Sequence, residues 1–368
     1  MNASPLPSTP SRQSVPPAAG AVPDGAVPVT EVVLPGVIAP EGLQVHHRTV
    51  PAPAAGQALV TMEATGVSFA EQQMRRGKYY DQPPFPFVPG YDLVGTVTAV
   101  GPGVDPVLVG QRVAALTKTG GWASAVVVDA GDLVGVPAGL DPVEAETVVV
   151  NGITAHQMLH RKARVRAGQT ILVHGANGGV GSTLVQLARS AGVRVIGTAS
   201  PRHHDAVRAL GAEPVDYAAP DLPAQVRRLA PGGVDAVFDH VGGPGVVDSF
   251  RLLARGGTLV SYGSAATKDD AGNSRKPILT LFARLLVWDL APNGRNASFF
   301  NIWAGRRRRD RFQARLRADL TAVFGLLEQG VLRPQVAARL PLDRAAEAMA
   351  LAESGTVVGK VVLTPPAG

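Results

Sequence analysis

The clearest pattern of apolar and polar positions lies between residues 170 and 200. The apolar, β-branched run 170–173 predicts a buried strand, and a glycine-rich segment, 175–181, follows it. Apolar residues then recur at helical spacing, at Val180, Leu184, Leu187 and Ala188. Gly192 marks the end of this helix, and the stretch 193–197 predicts a second strand. The pattern therefore predicts a β-α-β unit with a glycine-rich first turn.

The two halves of the chain differ in their patterning. In the second half, apolar runs at 234–239 and 257–263 continue the alternation of strands and helices. In the first half, short β-rich stretches at 57–62, 94–100 and 122–128 are separated by glycine and proline. The predicted fold class is α/β, with a doubly wound parallel sheet of the Rossmann type and a β-rich partial barrel of antiparallel strands.

The glycine-rich turn has the spacing of a dinucleotide-binding turn, with alanine in the first position. Gly178 would let a pyrophosphate approach the backbone, and Gly181 would let the helix pack close to the strand. Unpaired N–H groups and the positive end of the helix dipole attract phosphate at this point. The residues expected to contact a cofactor here are Ala176, Gly178, Gly179, Val180 and Gly181. The alternative is a tight turn that binds nothing.

The end of the second strand indicates which nucleotide is bound. An NAD site usually carries an acidic residue about 20 residues beyond the glycines. Here Thr198, Ser200 and Arg202 occupy that region, and the first acid is Asp205. A hydroxyl group followed by a cation suits a 2′-phosphate, so the sequence predicts NADPH rather than NADH. Two residues at the carboxyl ends of further strands are expected to line the nicotinamide side: Val241 and Gly263.

Composition narrows the possibilities. The 368 residues are enough for two domains, and 45% of them are hydrophobic. Residues 1–28 are rich in proline, alanine and serine, which predicts a disordered tail without the features of a secretion signal. The missing secretion signal predicts a cytoplasmic protein, and since no apolar run reaches 18 residues, we expect no membrane span.

Cysteine content excludes two kinds of site, and the distribution of charge bears on nucleic-acid binding. The sequence contains no cysteine, so disulfides and thiolate zinc sites are excluded. The net charge of +6 hints at an anionic partner. The cluster Arg306–Arg309 is interpreted as a solvated start of a helix rather than a nucleic-acid site.

Five longer stretches resemble the medium-chain dehydrogenase/reductase superfamily. They are GVSFAEQQMRRGKYY (66–80), FPFVPGYDLVGTVTAVGPGV (85–104), GQRVAAL (110–116), NGITAHQML (151–159) and PLDRAAEAMALAESGTVVGKVVL (341–363). The chain resembles its zinc-free quinone oxidoreductases, and 262–290 is similar to the subgroup of synaptic vesicle membrane protein homologues. The resemblance implies a GroES-like substrate domain at 29–150 that is completed by 312–368, a Rossmann NADPH-binding domain at 151–311, and a homodimer.

Absence of zinc would restrict the chemistry. Zinc alcohol dehydrogenases of this superfamily carry Gly-His-Glu where this chain has Gly90-Tyr91-Asp92. Without a Lewis acid, alcohol oxidation loses its usual means of stabilising the alkoxide. The implied reaction is hydride transfer from NADPH to an apolar enone, enoyl or quinone substrate, whose own π-system delocalises the negative charge. No metal is expected.

The resemblance also implies roles for single residues. Ser68 stands where the family has an asparagine that faces the nicotinamide and the substrate. Tyr79 matches a tyrosine and is expected to hydrogen-bond the substrate oxygen, whereas Gln73 replaces a second tyrosine found in some members. The cofactor-binding residues implied outside the glycine-rich turn and the strand ends are Asn151, Thr154 and Tyr217.

Structural alternatives stand beside these roles. Tyr79 could be only a half-buried loop aromatic, and Thr154 could be a helix N-cap. Tyr217 could be a surface residue in a turn.

Other readings also stay open. Asp92 and Glu71 are interpreted as structural acids that pair with nearby arginines, and His240 as a structural histidine. The apolar segment 277–290 is expected to line the cleft or to form a dimer surface. The alternative functions are an NADPH-binding sensor or scaffold without catalysis, and a nucleic-acid-binding relative.

Overall fold

The computed structural model describes residues 25–267 and 275–367. Its strands are β1 (Val27–Val33), β2 (Gln44–Val50), β3 (Gln57–Val67), β4 (Asp92–Val100), β5 (Arg112–Leu116), β6 (Ala125–Asp129), β7 (Val134–Gly135), β8 (Thr170–Val173), β9 (Arg194–Ala199), β10 (Glu213–Asp216), β11 (Val234–Asp239), β12 (Leu253–Ser261), β13 (Asn296–Phe299), β14 (Val336–Pro341) and β15 (Lys360–Thr364). Its α-helices are α1 (Phe69–Arg75), α2 (Pro142–Thr147), α3 (Val149–His156), α4 (Gly179–Ser190), α5 (His204–Ala209), α6 (Leu222–Leu229), α7 (Val246–Arg251), α8 (Arg275–Leu290), α9 (Arg309–Glu328) and α10 (Ala345–Glu353).

The second half of the chain forms the predicted parallel sheet. Within the described residues this sheet has six strands in the order β10-β9-β8-β11-β12-β13, and every adjacent pair is parallel. The order reverses beside β8, and ligands of such sheets bind outside the carboxyl ends of the strands at this switch point. The turn from β8 to α4, where the sequence predicts phosphate binding, lies at that point.

The first half forms a sheet that the end of the chain completes. In the described part of the protein, seven strands belong to it: β14-β15-β3-β4-β5-β7 in order, with β6 paired to β3. All pairs are antiparallel except β14 with β15. Because β15 pairs with β3, the last strand returns to the N-terminal sheet, as the GroES-like assignment implies. The exact domain limits stay a prediction.

One apolar cluster joins the two sheets. It contains buried residues of β4, of α3 and α4, and of α9. Four of its members form the buried face of α4: Leu184, Val185, Leu187 and Ala188. Burial of each leucine contributes about 1.5–3 kcal/mol, so this face holds the helix firmly against the sheet. The N-terminal end of α4 is therefore fixed relative to both sheets.

The first strand begins inside the segment that the sequence predicts to be a disordered tail. Residues 1–24 lie outside the described residues, but Val27 and Pro28 already belong to β1, which pairs with β2. The tail predicted at 1–28 is therefore too long at its C-terminal end.

Arg306–Arg309 are exposed and lead into α9, which begins at Arg309, as the sequence predicted. Among the helices that the structure describes, none has the length and apolar character that a membrane span requires.

Candidate active site

A cleft of about 420 Å³ lies between the two sheets. Its walls come from α1 and the loop after it, from α3, from the turn between β8 and α4, and from the ends of β11 and β12. Residues of α8 and of the segment before β15 close the remaining sides. The predicted residues that line it are Ser68, Tyr79, Asn151, Thr154, Gly178, Gly179, Val180, Gly181 and Gly263.

The glycine-rich turn has the geometry that its sequence predicts. A Cβ atom at Gly181 would lie 2.1 Å from the carbonyl oxygen of Gly175, so glycine is required for α4 to approach the turn this closely. A Cβ atom at Gly178 would meet only that oxygen, at 3.4 Å, which leaves the surface of Gly178 open. Gly178 is the N-cap of α4 and has no side chain to satisfy the first N–H groups. These amides are placed to bind an anion.

The remaining residues of this region support the turn from behind. Ala176 is fully buried, and its methyl group packs towards Gly197 rather than into the cleft. Thr198 is also buried. Its hydroxyl accepts a hydrogen bond from the Gly175 N–H (3.1 Å) and lies 3.2 Å from His174 Nδ1. Both residues therefore contribute to the shape of the turn and do not line the cavity.

Asn151 and Thr154 lie on one face of α3, against the turn. The Asn151 side chain donates to the carbonyl of Thr147 at 3.0 Å, and a Cβ atom at Gly179 would clash with it. Thr154 lies in the interior of α3, whose N-cap is Val148, so the N-cap alternative for Thr154 is wrong. Both side chains are nearly buried and border the cleft.

The residues predicted to select the nucleotide follow neighbouring strands. Ser200 and Arg202 come directly after β9, and Tyr217 comes directly after β10, which pairs with β9. Arg202 is exposed and donates to the Gly355 carbonyl at 2.9 Å, while Tyr217 is 61% exposed. These three residues lie outside the lining of the cavity, at the end where β9 and β10 finish.

Val241 and Gly263 follow the carboxyl ends of β11 and β12. Asp239, the last residue of β11, accepts hydrogen bonds from the N–H groups of Val241 (2.8 Å) and Gly242 (2.9 Å). A Cβ atom at Gly263 would lie 2.6 Å from the carbonyl oxygen of His240, so the two strand ends touch. Gly263 lines the cleft, whereas Val241 is not among the residues that line it.

Ser68 belongs to a capping box at the start of α1. Its hydroxyl accepts from the Ala70 N–H and donates to Glu71 Oε2, and Glu71 accepts in turn from the Ser68 N–H (3.0 Å) and the Tyr91 N–H (2.6 Å). Burial raises the pKa of Glu71 to about 7, although the hydrogen bond from Ser68 opposes this. A carboxyl group that titrates near neutrality therefore contacts a hydroxyl group of the cleft.

Tyr79 lies in the loop after α1, beside two further tyrosines. Its hydroxyl lies 2.9 Å from the hydroxyl of Tyr91, and its ring centroid lies 4.7 Å from that of Tyr80. Burial raises the pKa of Tyr79 well above its ordinary value, and the neighbouring tyrosines add to this effect. The phenol therefore keeps its proton at neutral pH, which makes it a hydrogen-bond donor rather than a base.

The predicted pairing of Asp92 and Glu71 with arginines is wrong. Asp92 binds the ammonium group of Lys360 at 2.8 and 3.0 Å, and Glu146 binds the same group at 2.5 Å. Glu71 binds Ser68 and the backbone of Tyr91 instead of a cation. Lys360 is 268 positions from Asp92 along the chain, so local sequence patterns gave no signal for this contact.

His240 borders the cleft, which sequence reasoning did not expect. Its ring packs edge-on against Phe69 and lies 5.9 Å from the ring of Tyr262. Burial lowers the pKa of His240, so the imidazole is neutral at pH 7, and within the described residues its Nδ1 has no hydrogen-bond partner. The sequence did contain a signal for this position, because His240 comes directly after β11 and ligands lie beyond the carboxyl ends of parallel strands.

Gln73 is a second polar residue of the cleft without partners. It is 2% exposed, and neither its amide nitrogen nor its amide oxygen has a hydrogen-bond partner in the described part of the chain. A buried amide that lacks partners costs about 1–3 kcal/mol. This side chain is thus available to a polar group of a bound ligand.

The apolar segment 277–290 has both a buried and an exposed face. It belongs to α8, whose Ile278 and Leu281 line the cleft. Of the two expectations for this segment, the one that it lines the cleft is confirmed. The opposite face exposes Leu279, Leu286, Val287 and Leu290. Its use as a dimer surface stays a prediction.

A Rossmann-type sheet joined through a ligand-sized cleft to a GroES-like sheet defines the class of two-domain, nucleotide-dependent oxidoreductases. The model of the zinc-binding dehydrogenase family matches residues 210–363, and that of the alcohol dehydrogenase GroES-like domain matches 54–138. The synaptic vesicle membrane protein VAT-1 homolog of Mus musculus is 32% identical over 88% of this chain and 80% of its own length. The chain belongs to the medium-chain dehydrogenase/reductase superfamily, in its quinone oxidoreductase-like branch.

Solved structures agree with this membership. Mycobacterial Rv1454c, in a structure complexed with NADPH, is 28% identical, and the match covers 92% of this chain and all of that one with a TM-score of 0.77. A quinone oxidoreductase of Pseudomonas syringae is 26% identical over 92% of this chain and all of its own, with a TM-score of 0.78.

The cleft does not fit the zinc that one family name mentions. Across 25–267 and 275–367, no three His, Cys, Asp or Glu side chains are grouped to hold a metal ion. The buried carboxylates of Asp92 and Glu146 are already bound to Lys360. Tyr91 takes the position of the family's histidine, and a phenol that retains its proton is a poor ligand for zinc.

Proposed function

We propose that this oxidoreductase uses NADPH to reduce the conjugated double bond of an enone or enoyl substrate, or a quinone, without a metal ion. The observation that carries the proposal is the cleft itself, which joins the open backbone at Gly178 and the first amides of α4 to the hydroxyl of Tyr79. Hydride transfer from a dinucleotide to a conjugated carbonyl uses both, the helix end for the pyrophosphate and the hydroxyl for the oxygen on which negative charge develops.

The residues that would hold NADPH run from the turn to the strand ends. The N-terminus of α4 supplies amides for the pyrophosphate at Gly179 and Val180, and Gly178, whose own N–H donates to the Gly175 carbonyl, lets the pyrophosphate approach the backbone. Arg202, Ser200 and Tyr217 surround the position expected for the 2′-phosphate, and Asn151, Thr154 and Gly263 border the nicotinamide side. The similarity to Rv1454c, which was solved with NADPH, supports this assignment.

The chain's own residues would then act on the substrate. Bound NADPH supplies the hydride. Tyr79 donates a hydrogen bond to the substrate oxygen, on which negative charge accumulates when the hydride reaches the β-carbon. Because burial keeps Tyr79 protonated, we assign it to binding this oxygen, and we assign the proton that the α-carbon gains to water. Ile278, Leu281 and Phe299 offer an apolar wall for the substrate body.

Turnover of NADPH with a panel of enones, quinones and enoyl thioesters tests the function. We expect consumption of NADPH with at least one of these classes, and a loss of about 100-fold in kcat for Tyr79→Phe at unchanged NADPH affinity, since one donor to a developing oxyanion contributes about this factor. Tyr80→Phe is the matched control and should retain activity. Tight NADPH binding without turnover on the whole panel would instead support the sensor or scaffold alternative.

Selection of the cofactor is tested at Arg202. Replacing it with alanine is expected to weaken NADPH binding by about 10-fold or more, because a charge-assisted hydrogen bond to the 2′-phosphate is lost. Affinity for NADH should not change. Arg208→Ala removes another exposed arginine nearby, one that pairs with Asp205, and serves as the control in the same titration. Equal losses for both cofactors in Arg202→Ala would contradict the assignment.

A homodimer and a cytoplasmic location complete the proposal. Both are carried over from the resemblance and from the composition. Analytical ultracentrifugation of the purified chain decides the first.

A further inference from the structure

Tyr79 does not stand alone in the cleft but ends a chain of hydrogen bonds that begins at Trp303. The indole nitrogen of Trp303 donates to the hydroxyl of Tyr91 at 2.5 Å, and the hydroxyl of Tyr91 lies 2.9 Å from that of Tyr79. Trp303 lies 212 positions after Tyr91, beyond β13, and does not itself border the cavity. The chain thus links a residue outside the cleft to the group that faces the substrate.

The first bond and the proton that Tyr91 retains together indicate the direction of the second bond. An indole N–H can only donate, so the oxygen of Tyr91 is the acceptor of this bond. Burial raises the pKa of Tyr91, which therefore keeps its own proton and needs an acceptor for it. Within the described residues, the oxygen of Tyr79 is the acceptor that lies within hydrogen-bond distance of the Tyr91 hydroxyl and can take this proton. The proton of Tyr79 is then directed away from Tyr91.

We propose that Trp303 and Tyr91 are positioning residues that orient the Tyr79 hydroxyl so that its proton points at the substrate oxygen. The inference rests on the proposed reduction. Each bond polarises the next in such a chain, so the last donor is stronger than an isolated phenol. Trp303 acts through Tyr91 and does not touch the substrate.

Both positioning residues are rigidly held. The Tyr91 N–H donates to the buried carboxyl of Glu71, and Gly90 before it has a φ of 105°, where a Cβ atom would lie 2.3 Å from the backbone nitrogen of Trp122. The Trp303 ring stacks on Phe312 of α9, with centroids 6.0 Å apart. Because Tyr91 and Trp303 are held in place before substrate binds, little ordering of these two side chains is needed when it does.

Tyr80 is the competing acceptor for the Tyr79 proton. It is partly exposed at the mouth of the cleft, and its hydroxyl also interacts with that of Tyr79. A substrate oxygen that carries negative charge is a stronger acceptor than a phenol and would take the bond. Tyr80→Phe should therefore leave activity unchanged or raise it slightly.

The test uses the full chain and a double-mutant cycle. Trp303→Phe keeps the ring and removes the donor, and Tyr91→Phe breaks the same chain by a second route. We expect each to lower kcat about 5–10-fold, with unchanged KM for NADPH, and to have no further effect in a Tyr79→Phe background. If the losses add fully to that of Tyr79→Phe, or if neither variant changes kcat, the inference is overturned.

A binding measurement separates this inference from the proposed function. A nitrophenolate imitates the enolate oxygen, and its absorption reports the ionised form bound beside NADP⁺. Its affinity should fall about 5–10-fold in Trp303→Phe and in Tyr91→Phe, and not in Tyr80→Phe. If the wild-type protein reduces nothing but binds nitrophenolate in this order, the proposed reduction fails while the chain of bonds stands. An unchanged affinity in both variants overturns the chain even where turnover is observed.

Discussion

Replacing Lys360 with methionine is expected to lower the free energy of unfolding by about 3–5 kcal/mol, because the buried carboxyl groups of Asp92 and Glu146 lose the cation that binds them. Lys360 is 3% exposed, and its ammonium group binds Asp92 on β4 and Glu146 on α2. Burial by itself lowers the pKa of Lys360, but the two carboxylates outweigh this effect and raise it, so the lysine is charged. Chemical denaturation of the variant and of the wild type measures the loss.

Two further variants make this prediction decisive. Arg344→Met breaks the exposed ion pair with Glu347 and should leave the denaturation midpoint unchanged. Combining Lys360→Met with Asp92→Asn and Glu146→Gln removes the unpaired charges, and it should restore much of the lost stability even if the single variant fails to fold. A single variant as stable as the wild type would show that the contacts of Lys360 with β4 and α2 do not stabilise the fold.

Removing the titration of Glu71 is expected to change the pH dependence of stability by about 3 kcal/mol. The pKa of this carboxyl group is about 7 in the folded protein, against an ordinary 4.5, and desolvation by burial is the main cause. The folded state therefore holds a proton that the unfolded state releases. Its contribution to stability is fully present below about pH 4.5 and is lost as pH rises to about 7.

The measurement compares the wild type with Glu71→Gln at about pH 5 and about pH 8. The wild type should lose about 2.5 kcal/mol more than the variant between these two pH values. His156, His160 and His240, whose pKa values are lowered, act in the opposite direction in both proteins and cancel in the difference. Identical pH profiles for the two proteins would mean that Glu71 is ionised in the fold.

Glu71 also connects stability to the site. It binds Ser68, which lines the cleft, and the N–H of Tyr91, which belongs to the chain that ends at Tyr79. A change of charge at Glu71 therefore acts on Ser68 through direct hydrogen bonds and on Tyr79 through Tyr91. The capping box at the start of α1 is thus also part of the wall of the site.

The sequence by itself determined the features that depend on neighbours along the chain. The strand β8, the turn at Gly178 and Gly181, and the amphipathic helix α4 lie within about 20 consecutive residues, and both their periodicity and their glycine spacing are local signals. The parallel sheet followed from the repetition of that unit, and the antiparallel sheet from its short β-rich stretches. The family followed from motifs that stand in order along the chain.

Tertiary structure alone decided the contacts between distant segments. Lys360 meets Asp92 across 268 positions, and Trp303 meets Tyr91 across 212, so neither pair leaves a periodic or local trace. For the same reason the acids were assigned to arginines, although the nearest available cation was a lysine on the last strand. Direction and burial of side chains depend on which elements pack together, and packing is settled only when the two sheets close around the cleft.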